Sequence, residues 1–166
     1  MIVYKLTNAE NKTRGGCCWT PGEWKTASGE GGLCGPGWLH CYESPEIAVF
    51  MNPKHADINN PALWLAEGKG KCKRDGQLKR GYAQMRIVER MELPVITTEQ
   101  RVEIGIRCAM TVCKDAAWRK WADNWLSGKN RTAARAAEAE ARAWAGEDSK
   151  LNLKYIISTV LSGGKK

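Results

Sequence analysis

The pattern of apolar and polar positions changes character near residue 96. Before it, short apolar runs alternate with glycine clusters, as strands joined by turns do; after it, apolar residues recur three and four apart, as on one face of a helix. Ile2–Thr7 reads as a strand. Gly29–Gly37 reads as a glycine-rich turn in which Pro36 prevents regular structure. Trp38–Tyr42 reads as a second short strand. Ser44-Pro45-Glu46 is a helix start, with a serine cap, a proline in the first turn and an acid near the positive helix end. That helix is expected over Glu46–Met51, stopping at Asn52-Pro53. Ala62–Glu67 and Tyr82–Glu92 read as further strands, and Asp75-Gly76 as a turn between strands.

Thr97 and Gln100 have capping-box spacing. The helix they open places Val102, Ile106, Ala109 and Cys113 on one face. Asp115 caps a second helix carrying Trp118, Ala122 and Trp125, and Ser127-Gly128 stops it. The alanine-rich run Thr132–Ala145 predicts a third helix, a spacer or docking element because alanine buries little area. Ser149 caps a last helix that buries Leu153, Ile156, Ile157 and Val160.

These elements make an α+β protein: a small twisted, mainly antiparallel β-core over residues 1–96, then a helical part over 97–166. Twelve of the 17 glycines and all six prolines fall in the first part, which makes it turn-rich. The longest apolar runs fall well short of the roughly 20 residues that cross a bilayer. The first residues, MIVYKLTNAE, lack the long apolar region of a signal peptide, so the expected location is cytoplasmic, with no membrane partner.

Charge then singles out one segment. Residues 69–90, KGKCKRDGQLKRGYAQMRIVER, hold eight Lys or Arg against Asp75 and Glu89, a net +6 of the whole chain's +8. Such a concentration suits an anionic partner: nucleic acid, a nucleotide or an acidic protein surface; the same lysines would also serve solubility. A turn at Asp75-Gly76 would project Lys73, Arg74, Lys79 and Arg80 from a hairpin tip, with Arg86 further along. Gln77 would meet a base edge or a phosphate.

Seven cysteines, an odd count without an export signal, point to reduced thiols. Cys108 and Cys113 fit a helical core. Cys17, Cys18, Cys34, His40 and Cys41 cluster in sequence, but their spacing is not that of a zinc knuckle, and neighbours in a strand point to opposite sides. No metal is expected. Eight tryptophans against one phenylalanine could stack on bases or anchor a core. His40 and Tyr42, two apart on a strand, would share a side and could hold a ribose, with His40 as an acid or base.

The segment Gly35–Met51 resembles the ADP-ribosyltransferase fold in outline. That resemblance implies NAD as cofactor, contacted by Tyr4 or Lys5 on the first strand and by His40 with Tyr42 on the second, with Glu67 or Glu89 as the carboxylate. The family's closely paired glutamates find a match only at Glu138 and Glu140, in the alanine-rich helix. The chain as a whole is similar to a group of uncharacterised phage and prophage proteins. The residues that carry this likeness are LCGPGWLHCYE (33–43), the NP pair at 52–53, KRDGQLK (73–79), ITTEQRV (96–102) and WADNWLSGKNRTAA (121–134). It implies an accessory role in a host cell. Two activities follow as expectations: engagement of nucleic acid or a nucleotide by the basic face, within which an NAD-dependent transferase is the sharper form, or a non-catalytic, anti-CRISPR-like block on a host defence complex.

Overall fold

The computed structural model describes residues 1–131 and 152–163. The alanine-rich run with Glu138, Glu140 and Trp144, and Ser149, lie outside these. The chain divides into two compact units, Met1–Val95 and Ile96–Lys166. It has mixed α and β content, with an antiparallel sheet and, among the described residues, four α-helices.

The first unit is organised by a long hairpin. Strands β6 (Ala62–Asp75) and β7 (Lys79–Met91) pair antiparallel almost throughout. β1 (Ile2–Thr7) pairs with the first part of β6, Ile2 opposite Glu67 and Thr7 opposite Ala62. β4 (Lys25–Thr26) and β5 (Leu39–Cys41) both pair with β7. β2 (Lys12–Thr13) and β3 (Cys17–Cys18) form a separate small ribbon around a 3-10 turn at Arg14–Gly16. Register shifts at Leu65/Ala66 and Lys69/Cys72 bend the hairpin, as bulges do. The bend brings the end of β5 back to β1: Tyr4 and Tyr42 exchange both backbone hydrogen bonds at 2.9 Å. The hydrogen-bonded path β1–β6–β7–β5 therefore returns to β1 and closes the sheet into a small ring.

Inside the ring pack Val3, Cys41, Trp64, Ala66, Tyr82, Met85 and Ile87, with Trp19. Gly68 is required for this packing, because a Cβ there would lie 2.5 Å from the Tyr82 ring. The Trp64 indole donates to the buried Thr7 hydroxyl at 3.0 Å, so this core indole is not left unsatisfied. Helix α1 (Pro45–His55) covers β1 and buries Ile47, Ala48, Phe50 and Met51. Ser44 caps it, accepting from the Ile47 N–H at 3.2 Å.

Two expectations on elements of this unit are corrected. Helix α1 runs through Asn52-Pro53 to His55. A proline in the last turn forgoes a single intrahelical donor, and Ala56 and Asp57 still donate to Asn52 O at 3.0 and 2.7 Å. The two main strands extend to the turn, β6 continuing eight residues past Glu67 to Asp75, because cross-strand pairing overrides the polar composition of 69–75. β2, β3 and β4, two residues each, carry no periodic signal of their own.

In the second unit, Thr97 and Gln100 form the capping box that opens α2 (Thr98–Val112). Asp115 caps α3 (Ala116–Leu126), accepting from the Trp118 N–H at 2.7 Å. Ile106, Ala109, Trp118, Ala122 and Trp125 form a shared core. Gly128 follows the helix end at φ 77°, the left-handed conformation that glycine adopts without penalty. The last helix, α4 (Leu153–Leu161), packs against α2 and buries Leu153, Ile157 and Val160, with Ile156 half-buried. Its cap is Asn152, adjacent to the first helical residue, not Ser149. Among the described residues, no helix is long and apolar enough to cross a membrane.

Candidate functional site

The hairpin separates two populations of cations. Along β6, Lys69, Lys71, Lys73 and Arg74 are all exposed, and none is ion-paired among the described residues. Beyond Lys69 this strand has β7 on one side and, among the described residues, no strand on the other, since β1 ends its pairing at Glu67. Two indoles organise the row. Lys69 Nζ stands 3.8 Å above the Trp24 ring, and the Arg86 guanidinium lies 5.0 Å from it. Lys73 Nζ lies 5.5 Å from the Trp38 ring and donates to Gly31 O at 2.7 Å. Cation–π contacts of this kind hold flexible ammonium groups in place without neutralising them.

The turn closes with Leu78 N–H donating to Asp75 O at 2.8 Å, and Gly76 has φ 49°. Gln77 and Lys79 are half-buried there, and Lys79 Nζ sits 3.0 Å from Cys34 Sγ. Arg80 does not project from the tip: it is only 4% exposed. It stands opposite Arg74 in register, so the two share a face of the sheet, but Arg80 is covered there: it pairs with Glu43 and approaches Tyr82 Oη at 3.5 Å. Strand alternation gives the reason, because Arg80 and Tyr82 share a side and Tyr82 belongs to the core. Arg86 is also ion-paired, to Glu67 at 2.7 Å.

Of the residues expected to surround NAD, Tyr4 meets Tyr42 and Lys5 meets His40 between β1 and β5, and only Lys5 and Tyr42 are buried. Lys5 is buried; its amine donates to His40 O at 2.7 Å and stands 4.9 Å over the Trp19 ring. Burial brings its pKa down to about 8, opposed by the thiols of Cys41 and Cys17. His40 is half-buried, and its Nε2 donates to Leu33 O. Burial lowers its pKa, and the Leu33 hydrogen bond partly opposes that. Tyr42 is buried, its phenol pKa raised by desolvation, and its ring stacks on His55 at 6.0 Å. Burial pushes the Cys41 thiol up to about 12. Tyr4 is half-buried, Glu67 is engaged with Arg86, and Glu89 is exposed on β7. Cys17 and Cys18 alternate, one half-buried and one exposed. Among the described residues, no group of three His, Cys, Asp or Glu side chains is gathered to hold a metal ion.

Sequence reasoning counted Lys69 and Lys71 in the basic segment without giving them a role, and gave none to Trp24, Glu43 and His55. Alternating lysines at 69, 71 and 73 were the available signal for the row, visible once 69–75 is taken as a strand. The Trp24 contact joins residues more than forty apart in sequence, and no local pattern marks it. No protein-family model, curated protein or solved structure matches the chain.

Proposed function

We propose that the protein is a binding module that engages the sugar-phosphate backbone of nucleic acid through the exposed cations of its hairpin. One observation carries this reading: four exposed cations, Lys69, Lys71, Lys73 and Arg74, within six residues of one strand, without acid partners among the described residues, two of them steered by indoles. Alternate residues on a strand are spaced about 6.7 Å apart, so such a row offers several donors along an extended anion. Binding of this type is largely independent of sequence, since phosphate contacts position a strand without reading its bases. The Trp24 ring is already engaged by Lys69 and Arg86, which argues against its use as a base-stacking platform. The side chains with acid–base chemistry, Lys5, His40 and Tyr42, are instead committed to interior contacts, which favours binding over catalysis.

The test is fluorescence anisotropy with labelled 20-nucleotide DNA and RNA strands. The combined variant Lys69→Gln, Lys71→Gln, Lys73→Gln should lose at least about tenfold in affinity while its thermal unfolding is unchanged. Equal affinity in that variant would sink the reading.

A further inference from the structure

We propose that the open cleft between the β2–β3 ribbon and the end of α1 binds a phosphate monoester of nucleotide size. The cleft encloses about 660 Å³. That lies within the roughly 300–1,000 Å³ typical of small-molecule sites. Lys12, Arg14 and Lys54 line it, and Asp57 is its single acid. All three cations are exposed, and none is ion-paired among the described residues. Arg14 supplies the planar fork that suits phosphate, and the two lysines supply point charges from opposite walls.

The site is built rather than incidental. The end of α1 presents carbonyls that disfavour an anion; Asn52 O among them is occupied, accepting from Ala56 and Asp57, and the three cations have to outweigh the rest. The Asn52 side chain fixes the same wall, accepting from Ile58 N–H at 3.2 Å and donating to Ile58 O at 2.9 Å. The three non-glycine residues with positive φ among those described, Asn11, Asp57 and Asn60, each lie in this cleft wall or next to a residue that lines it. Such backbone conformations gather at functional sites. His55 adds an unspent polar group: its Nδ1 is buried without a hydrogen-bond partner, beneath the cleft and against Tyr42. Its lowered pKa keeps the ring neutral at pH 7, able to donate or accept one bond after a small shift.

The proposal does not rest on the hairpin reading, and the test keeps the two apart. Adenosine 5′-monophosphate, inorganic phosphate and adenosine are titrated by calorimetry into the full chain. The monophosphate and phosphate should bind and adenosine should not. The exposed triple variant Lys12→Ala, Arg14→Ala, Lys54→Ala should weaken monophosphate binding at least about tenfold. The hairpin triple variant should leave it unchanged. A further arm compares 20-nucleotide strands with and without a 5′-phosphate as competitors. Displacement of the monophosphate by the phosphorylated strand alone identifies a strand end as the source; displacement by neither identifies a free nucleotide. No monophosphate binding at millimolar concentration, or equal binding in the cleft variant, overturns the proposal.

Discussion

Lys5 and Arg80 are buried cations; Lys69, Lys71, Lys73 and Arg74 are cations held in water. The two sets sit on neighbouring positions of the same sheet, and Arg74 and Arg80 are even direct cross-strand partners. What separates them is the partner each has been given. Arg80 has Glu43 and the Tyr82 hydroxyl, and Lys5 has the His40 carbonyl and the Trp19 face. The exposed row has indoles and one backbone carbonyl, which fix position without cancelling charge. An interior cation is a structural commitment, costly to unpair; an exterior one is nearly free in stability and available to a ligand.

The sharpest way to break this comparison is to truncate the two arginines that face each other. Arg80→Ala should cost about 2–3 kcal/mol in urea unfolding, because it strands Glu43, which is itself 23% exposed and so partly relieved by water. Arg74→Ala should stay within about 0.5 kcal/mol. Similar losses in both would remove the distinction between buried and exposed cations.

Lys5 sharpens it through pH. Its amine is brought from 10.5 to about 8 by burial, so the folded state holds the proton less tightly than the unfolded chain. Below pH 8 the folded state carries the full cost of burying the charge. That cost shrinks as pH rises through 8 and is gone by 10.5. The gross cost is about 3 kcal/mol at pH 7, offset by the bond to His40 O and the Trp19 contact. Lys5→Met should therefore be more stable than the parent by about 1–2 kcal/mol at pH 7. The advantage should decline between pH 8 and 9.5. Comparing the two proteins cancels the opposing effect of the buried Cys108 thiol, whose raised pKa penalises stability above pH 9; Cys41, raised further once Lys5 is gone, adds to the decline there. A pH-independent difference would contradict the assigned cause.

The smallest effect belongs to the indole that steers the row. Trp24→Ala should weaken oligonucleotide binding about three- to fivefold, the equivalent of about 0.5–1 kcal/mol for lost cation–π positioning. A loss larger than that of the three-lysine variant would mean that Trp24 touches the ligand itself.

Much of this architecture was legible in the sequence. Caps at Ser44, Thr97 and Asp115 stand where serine, threonine and aspartate precede helical spacing, because capping is a local transaction of a few residues. The strand Ile2–Thr7 and the Trp118/Ala122/Trp125 stripe followed from periodicity alone. The burial of Arg80 was not legible. It depends on Glu43, 37 residues away in sequence, and on the closure of the ring at Tyr4 and Tyr42, contacts that no local pattern encodes. The same closure buried Tyr42 and Lys5, which strand alternation alone had left open. The cleft beside Lys54 was hidden for another reason. Asn52-Pro53 read as a helix stop, and only the continued last turn brings Lys54 and His55 round to face Lys12 and Arg14.

The central claim, that the exposed row meets phosphate directly, is tested most directly by the salt dependence of strand binding. Affinity for a single-stranded 20-mer is measured from 50 to 300 mM salt for the parent and for the variant Lys69→Gln, Lys71→Gln, Lys73→Gln. Each phosphate neutralised on a single strand contributes about 0.7 to the log–log slope, so removing three contacts should flatten it by about 2. An unchanged slope in the variant, or binding in the parent that ignores salt, would contradict the account.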